Sequence, residues 1–439
     1  MTRSEIKPED SPASGKRGFV RHHGSTLVGQ GLILGLGVLT GILTARMLGP
    51  VGRGEYQAII VWPTAIGYLL SFGLNQAIAF NVGRRAFTVS EVVTASTTIS
   101  LVQGALAIAA GLIAVHLALA KYPPAVEHLG ILFVLFTPVY MIGGYPANLA
   151  QGLQNLVQFN LIRVSAPLLY LAGLVALFAA RRASLGGVLA AQVAGWTICL
   201  GLGLGWVLMS QRPRWQWNRA AVPRLLNYGY RSQATNLANY FNQRIDQLVL
   251  VFFVPPRQLG FYAVAVTLST AVTVFPQAAG IVTFSRGSSQ HRRDAVATIG
   301  ESFRASLLWL MAACGLLYLL APFLIHRVFG EAFDGSIAAC RILLPGALMI
   351  GLNQVLYNGA GALGRPGIPS IAEGVSMAVT AIGLYLLVPR YGYIGAAIVS
   401  SVAYTVSFLV MLGLARGLLG IHLRPLLFGA PGRIEVSGS

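Results

Sequence analysis

Charge is the scarcest commodity in this sequence. Of 439 residues, 31 are Lys or Arg and 13 are Asp or Glu, 10% in all, where a soluble domain carries about a quarter. That scarcity excludes an ordinary soluble enzyme, and the long uncharged runs point to a chain whose main solvent is lipid. Cysteine is scarce too. Cys199, Cys314 and Cys340 stand in separate apolar runs without CxxC spacing, which excludes a disulfide framework and a zinc site and leaves three small core residues. The histidines are dispersed, and no HExxH, Walker sequence or phosphate-binding glycine loop is present. No catalytic constellation, metal site or nucleotide cofactor is therefore expected.

The shortage of acids leaves a net charge of +18. The basic residues are scattered in ones and pairs between apolar stretches, so they predict topology rather than a nucleic-acid partner. Residues 1–24 are polar and lack an apolar core followed by a small-residue cleavage site, which predicts a cytoplasmic tail and not a cleaved signal peptide.

What is present is apolar length: 55% of the residues are hydrophobic. A hydrocarbon core of about 30 Å needs roughly 20 apolar residues per helix. Twelve runs qualify, at 25–46, 56–82, 92–120, 129–152, 159–180, 185–209, 225–253, 259–284, 303–325, 337–362, 368–388 and 393–418. They predict an all-α polytopic membrane protein divided into an N-terminal lobe (25–209), a basic linker (210–224), a C-terminal lobe (225–418) and a tail (419–439). With the N-terminus inside, inner segments hold 21 Lys and Arg and outer segments nine. The positive-inside rule thus predicts a multi-pass protein of the cytoplasmic membrane with both termini cytoplasmic. The outer pair Arg181 and Arg182 runs against that count.

The two halves repeat. Pro50, Gly54 and Tyr56 after the first run recur 206 residues later as Pro256, Gly260 and Tyr262, and Asn148–Leu153 matches Asn358–Leu363 at an offset of 210. Six spans is an even number, so two such bundles share an orientation. That predicts a pseudo-twofold axis along the membrane normal and a central cavity between the bundles.

The stretches ARMLGPVGRGEYQAI (45–59), RIDQLVLVFFVPPRQLGFYAVAVTLS (244–269) and ALGRPGIPSIAEGVSMAVTAIGLYLLVPRYGYIGAAIVSSVAY (362–404) resemble the oligosaccharide flippase and polysaccharide transporter family of the O-antigen flippase type. That family belongs to the superfamily that also holds multidrug and toxin extrusion transporters. The resemblance runs from about residue 25 to 418. It implies two six-helix lobes, alternating access, and export of an undecaprenyl-diphosphate-linked oligosaccharide from the inner to the outer leaflet. Membrane lipids would be partners, as would a polysaccharide polymerase or chain-length machinery.

Polar residues inside the runs mark candidate sites, because a charge at mid-bilayer costs about 2.5–3.5 kcal/mol on insertion scales. In the seventh run Arg231, Thr235, Asn239, Asn242 and Asp246 are spaced 4, 4, 3 and 4 residues apart. On an unbroken helix they form one stripe about 22 Å long, read as a hydrated cavity lining. Arg244 lies about 160° from Asp246 on the same wheel, so the two need not pair. Arg163 and Glu373 occupy matching places at the 210 offset. Arginine holds phosphate through paired charge-assisted hydrogen bonds, so Arg163, Arg231 and Arg244, with Thr235, Asn239 and Asn242, are the candidate substrate-binding residues. Snorkelling of Arg163 toward headgroups is an equal alternative. Asp246 and Glu373 are the candidates for a coupling proton or sodium ion. Asn75, Asn81, Asn353 and Gln354 read as hydrogen-bonding glue between helices. Pro63, Pro138, Pro167, Pro276 and Pro345 read as kinks or hinges.

Two other functions stay open at this stage. A cation-coupled multidrug antiporter of the same superfamily predicts an acid-dominated cavity, whereas the candidate charges here are mainly arginine. A membrane polysaccharide polymerase or ligase predicts a large extracytoplasmic loop, which the spacing of the runs does not allow.

Overall fold

The computed structural model describes residues 12–421 and 426, except 289 and 366; the side chains of 12–28, 235 and 236 also lie outside the described residues. The described residues fold into fourteen α-helical segments. They are α1 (Pro12–Leu70), α2 (Leu74–Gly83), α3 (Val89–Leu119), α4 (Pro124–Ile142), α5 (Tyr145–Gly152), α6 (Leu156–Ala179), α7 (Leu185–Gln211), α8 (Ala221–Asn242), α9 (Ile245–Phe253), α10 (Pro256–Ala271), α11 (Val274–Gly287), α12 (Arg292–Leu324), α13 (Ser336–Ala362) and α14 (Ile368–Leu419).

Fourteen segments make twelve passes. Gly49 (φ 65°) divides α1 and Gly392 (φ 55°) divides α14 into two passes each. Four passes are pairs of collinear or bent segments: the second half of α1 with α2, α4 with α5, α8 with α9, and α10 with α11. Cross-contacts sort the pass ends into two faces. On one, Arg292 Nη2 donates to the Leu419 carbonyl, Arg365 Nη1 to that of Leu418, and Phe80 stacks on Tyr228. This is the face where α14 ends; we call it the terminal face. On the other, the far face, Arg46 donates to the Arg327 carbonyl, Lys121 Nζ to that of Phe252, and Tyr393 Oη to that of Gly335. Each predicted run joins one face to the other. Large apolar side chains such as Leu101, Ile113, Leu132, Leu208, Leu308 and Leu319 are exposed on the outer surfaces of these helices, the side on which lipid replaces water as solvent. The protein is an all-α polytopic membrane protein whose passes form two pseudo-symmetric six-helix lobes.

The internal repeat is the seam between the lobes. A Cβ placed on Gly54 would stand 1.7 Å from the Pro256 carbonyl oxygen, and one on Gly260 would stand 2.0 Å from the Pro50 carbonyl oxygen. Each motif receives the other, as a twofold contact requires. Toward the terminal face Gly73 (φ 64°) meets Gly229, where either added Cβ would lie within 2.3 Å of a carbonyl oxygen. Only glycine permits backbone to approach this closely. The second sequence match is also structural: Asn148 Nδ2 bonds the Gly144 carbonyl and Asn358 Nδ2 that of Gln354, both at 2.7 Å.

Two sequence expectations are corrected. The seventh pass is not one helix: α8 ends at Asn242, Gln243 and Arg244 break the run, and α9 begins at Ile245, so Asp246 leaves the stripe that holds Arg231 and Asn239. The passes break at Phe72–Gly73, Gly143–Gly144, Gln243–Arg244 and Val272–Thr273 instead of at the prolines. Pro63, Pro138, Pro167 and Pro345 all lie inside continuous helices; Pro276 is near the start of α11. Separately, the helix of the first pass begins at Pro12, within the polar residues 1–24.

The linker runs without regular structure from 212 to 218. It straps the start of α3: the Arg214 amide donates to Ser90 Oγ, the Gln216 amide to Thr94 Oγ1, and Asn218 Nδ2 to Glu91 Oε1 at 2.7 Å. Trp215 and Trp217 stay exposed.

Candidate functional site

The N-terminal lobe holds a half-open cavity of about 650 Å³. The glycine breaks build it. Gly143–Gly144 ends α4, and Asn148 and Gln151 of α5 line the space beside Asn75 and Gln76 of α2. Asn148 Nδ2 donates to Asn75 Oδ1 at 3.0 Å. Arg163 of α6 is the charged member of the lining. Its Nη2 donates to Gln30 Oε1 at 2.8 Å, and its Cζ lies 4.9 Å from the centroid of Phe159. Both contacts are neutral, and among the described residues no carboxylate forms an ion pair with the guanidinium. Toward the far face the cavity ends at Tyr170 and Gln192, bridged by Tyr56. Tyr56 Oη donates to Gln192 Oε1 at 2.8 Å and lies 3.1 Å from Tyr170 Oη, which lies 3.2 Å from Thr44 Oγ1.

A second cavity, of about 380 Å³, lies between the lobes. Its walls are Ile33, Leu34, Gly37 and Val38 of α1, the end of α10 with the start of α11, the break of the seventh pass with Gln243, Arg244, Asp246 and Gln247, the face of α13 from Leu343 to Gln354, and Tyr404 of α14. Arg244 is exposed. It forms no ion pair with Asp246 among the described residues, because Asp246 has other partners. The Asp246 Oδ2 accepts from Tyr262 Oη and from Ser400 Oγ (3.1 Å), and its Oδ1 from the Gln247 amide (2.7 Å). Asp246 also stands in the first turn of α9, where the helix dipole favours a negative charge.

Glu373 organises a third, buried cluster in the C-terminal lobe. Its Oε1 accepts from Tyr357 Oη at 2.5 Å and Asn239 Nδ2 at 3.1 Å, and its Oε2 from Asn242 Nδ2 at 2.7 Å. Asn242 also contacts Ser376 and Thr380, and Tyr357 contacts Ser407. Asn239 and Asn242, read from the sequence as substrate contacts, are thus turned toward Glu373 and line neither cavity. Arg231 is exposed near the terminal face and lines neither cavity. The side chain of Thr235 lies outside the described residues. Arg163 and Glu373 match in sequence but sit in different lobes with different partners.

Sequence reasoning missed the tyrosines. Tyr56 and Tyr262 were visible as a repeated pair, and they hold equivalent networks, one on Gln192 and the other on Ser400, 208 residues apart. It also missed Gln57 and Gln247, whose 2.6 Å bond ties the lobes. Of the asparagines read as glue, Asn75 and Asn353 do bridge helices, through Asn148 and Ser407. Asn81 instead bonds its own helix at Ala77. Gln354 lines the inter-lobe cavity. The three cysteines are buried and free.

Two six-pass lobes around polar cavities, crossing at a repeated motif, define an all-α polytopic membrane protein. The chain belongs to the polysaccharide biosynthesis protein family, which residues 19–285 match. Among solved structures it resembles the lipid II flippase MurJ in an inward closed conformation (TM-score 0.74, 14% identity, 90% of this chain and 87% of that one). It also resembles an inward-facing multidrug resistance MATE family transporter (TM-score 0.71, 14% identity, 89% and 94%). A curated relative, the probable low-salt glycan biosynthesis flippase Agl15 of Haloferax volcanii, is 23% identical over 220 residues, 49% of this chain and 46% of that protein. The chain thus spans about half the length of the curated relatives it matches.

Proposed function

We infer that the protein is a flippase that moves an undecaprenyl-diphosphate-linked oligosaccharide from the inner to the outer leaflet of the cytoplasmic membrane, for surface polysaccharide synthesis. The observation that carries this reading is Arg163: a cation lining a cavity of about 650 Å³, held among the described residues by a neutral amide and a ring face. Pockets of about 300–1,000 Å³ enclose small ligands, so the cavity suits a diphosphate with its first sugars while the lipid tail stays in the bilayer. Arg231 and Arg244 add cations on the terminal side and between the lobes, and the terminal face is cytoplasmic in this reading.

The seams suggest how cargo is admitted. The far face is sealed by the Gly54–Gly260 crossing, the Gln57–Gln247 bond and the Trp62–Phe252 ring contact. The α2–α8 flank is sealed by Gly73 on Gly229 and by Tyr68 stacked on Tyr240 at 3.8 Å. The inter-lobe cavity occupies the opposite flank, between α1 and α10–α11, where a lipid-linked headgroup could slide in from the membrane. Alternating access then means parting the far-face seam while this flank closes. A headgroup with two negative charges leaving a negative interior gains roughly 4.6 kcal/mol per 100 mV if it crosses the whole field. Asp246 and Glu373, both in the C-terminal lobe, are the groups that would take a coupling proton or sodium ion, and the product would pass to a polymerase or chain-length machinery.

The competing reading is a cation-coupled multidrug antiporter, favoured by Asp246 in the inter-lobe cavity. That carboxylate is already engaged by Tyr262 and Ser400, with Arg244 nearby, which disfavours a cationic cargo. Deleting the gene in its native host decides between them: the flippase reading expects loss of surface glycan with lipid-linked precursor retained in the inner leaflet, and the antiporter reading expects intact glycan with altered drug tolerance.

A further inference from the structure

Arg53 is a charge the reading above leaves unused. It lies in the second pass, three residues past Pro50, is 7% exposed, and has no hydrogen-bond partner at Nε or Nη1 among the described residues. Its Cζ lies over the ring of Tyr56, 5.1 Å from the centroid. Glu55 forms no ion pair with it, since residues two apart point to different sides of a helix. A buried guanidinium without a counterion is costly, and a ring face compensates only part of that cost. Such a group is suited to a partner that arrives in another state of the protein.

Its position says which state. Arg53 immediately precedes Gly54, the residue that crosses Gly260 at the far-face seam, so parting the lobes there removes its cover. Between Arg53 and the N-lobe cavity stand Tyr56, Tyr170 and Gln192, hydrogen-bonded to one another, and the last two also line the cavity. Arg163 is on the cavity side of this plug, two turns of α6 before Tyr170, or about 10 Å of helix. One arginine thus stands on each side of a tyrosine–glutamine barrier, and neither has an acid partner among the described residues.

We propose that Arg53 is a release-side anion site, a guanidinium that binds the phosphate groups of the cargo once the far-face seam opens, after Arg163 has held them in the cavity. The proposal rests on the flippase reading for the identity of the cargo but not for the chemistry of the site, which is phosphate recognition by a planar fork of donors. The Tyr56 ring holds the guanidinium in reserve, and opening of the seam gives it solvent and phosphate together.

Two arms test this on the full-length chain. In proteoliposomes with lipid-diphosphate oligosaccharide, Arg53→Met should lower transfer to the outer leaflet at least tenfold with a melting temperature no lower than that of the unmodified protein, and Arg53→Lys should restore a substantial part. A structural role alone would lower the melting temperature of Arg53→Met and would overturn the proposal, as would unchanged transfer. In the second arm the probe is inorganic pyrophosphate in detergent, added to Arg163→Met so that the inner site is silent. Pyrophosphate should raise the melting temperature of Arg163→Met and lose that effect in Arg163→Met/Arg53→Met; equal responses of the two proteins overturn the site. If the unmodified protein moves no lipid-diphosphate while the second arm still depends on Arg53, the anion site stands and the flippase reading falls.

Discussion

Gly54 and Gly260 face each other across the two lobes, each with its α-carbon against the other motif's proline carbonyl. They are the same residue of the repeat, 206 positions apart, and their reciprocity turns a sequence similarity into a hinge surface. Whatever opens the far face must separate these two glycines.

Adding one methyl group at that contact is therefore expected to open the seam. Overpacking of a tight contact costs about 1–3 kcal/mol, and every 1.4 kcal/mol is about tenfold in a population. In a cysteine-free background with Gln57→Cys as reporter, Gly260→Ala should raise labelling by a membrane-impermeant maleimide several-fold or more. Labelling equal to that of the glycine parent would show that the crossing does not hold the seam.

A reversible lock across the same seam should stop transport. Gln57 Nε2 and Gln247 Oε1 are 2.6 Å apart, so cysteines at both positions lie within reach of a short bifunctional thiol reagent with a reducible link. Cross-linked protein is expected to lose transfer and to recover it on reduction. Transfer that persists through complete cross-linking contradicts alternating access through this face.

The cargo cations are tested by surface-glycan assembly in cells. Arg163→Ala and Arg231→Ala should each abolish assembly at unchanged protein level. Gln30→Ala should change it little, because a neutral hydrogen bond contributes about 1 kcal/mol. Full complementation by both arginine variants would remove them from the phosphate role.

Glu373 should carry the response to an imposed gradient. Glu373→Gln keeps the size of the side chain but presents an NH₂ group to a pocket where Tyr357, Asn239 and Asn242 all donate. Each donor left without an acceptor costs about 1–3 kcal/mol. Transfer by this variant should no longer respond to a proton or sodium gradient, while Asp246→Asn reports whether the second acid shares the task. Unchanged gradient responses in both variants would exclude these acids as coupling groups.

The twelve passes were legible because an apolar stretch of about 20 residues has few other uses, and the repeat was legible because glycine and proline stand where two backbones meet. The break at Gln243–Arg244 was not. No glycine or proline marks it, so a helical wheel carried Asp246 onto a stripe it does not share. Asn239 and Asn242 were read as substrate contacts, whereas they bond Glu373, more than 130 residues away, and a spacing rule has no access to that partner. Arg53 was counted among nine outer charges and given only a topological role. That it has no counterion among the described residues is a property of the packed structure.

The most direct test of the central claim is transfer by the purified full-length protein in sealed vesicles, with undecaprenyl-diphosphate oligosaccharide on the inner leaflet and detection by a glycan-binding reagent outside. The flippase account predicts protein-dependent appearance of the glycan at the outer surface, accelerated by an inside-negative potential and lost in Arg163→Ala. Absence of transfer by the unmodified protein, together with gradient-driven movement of a cationic drug in the same vesicles, would contradict it.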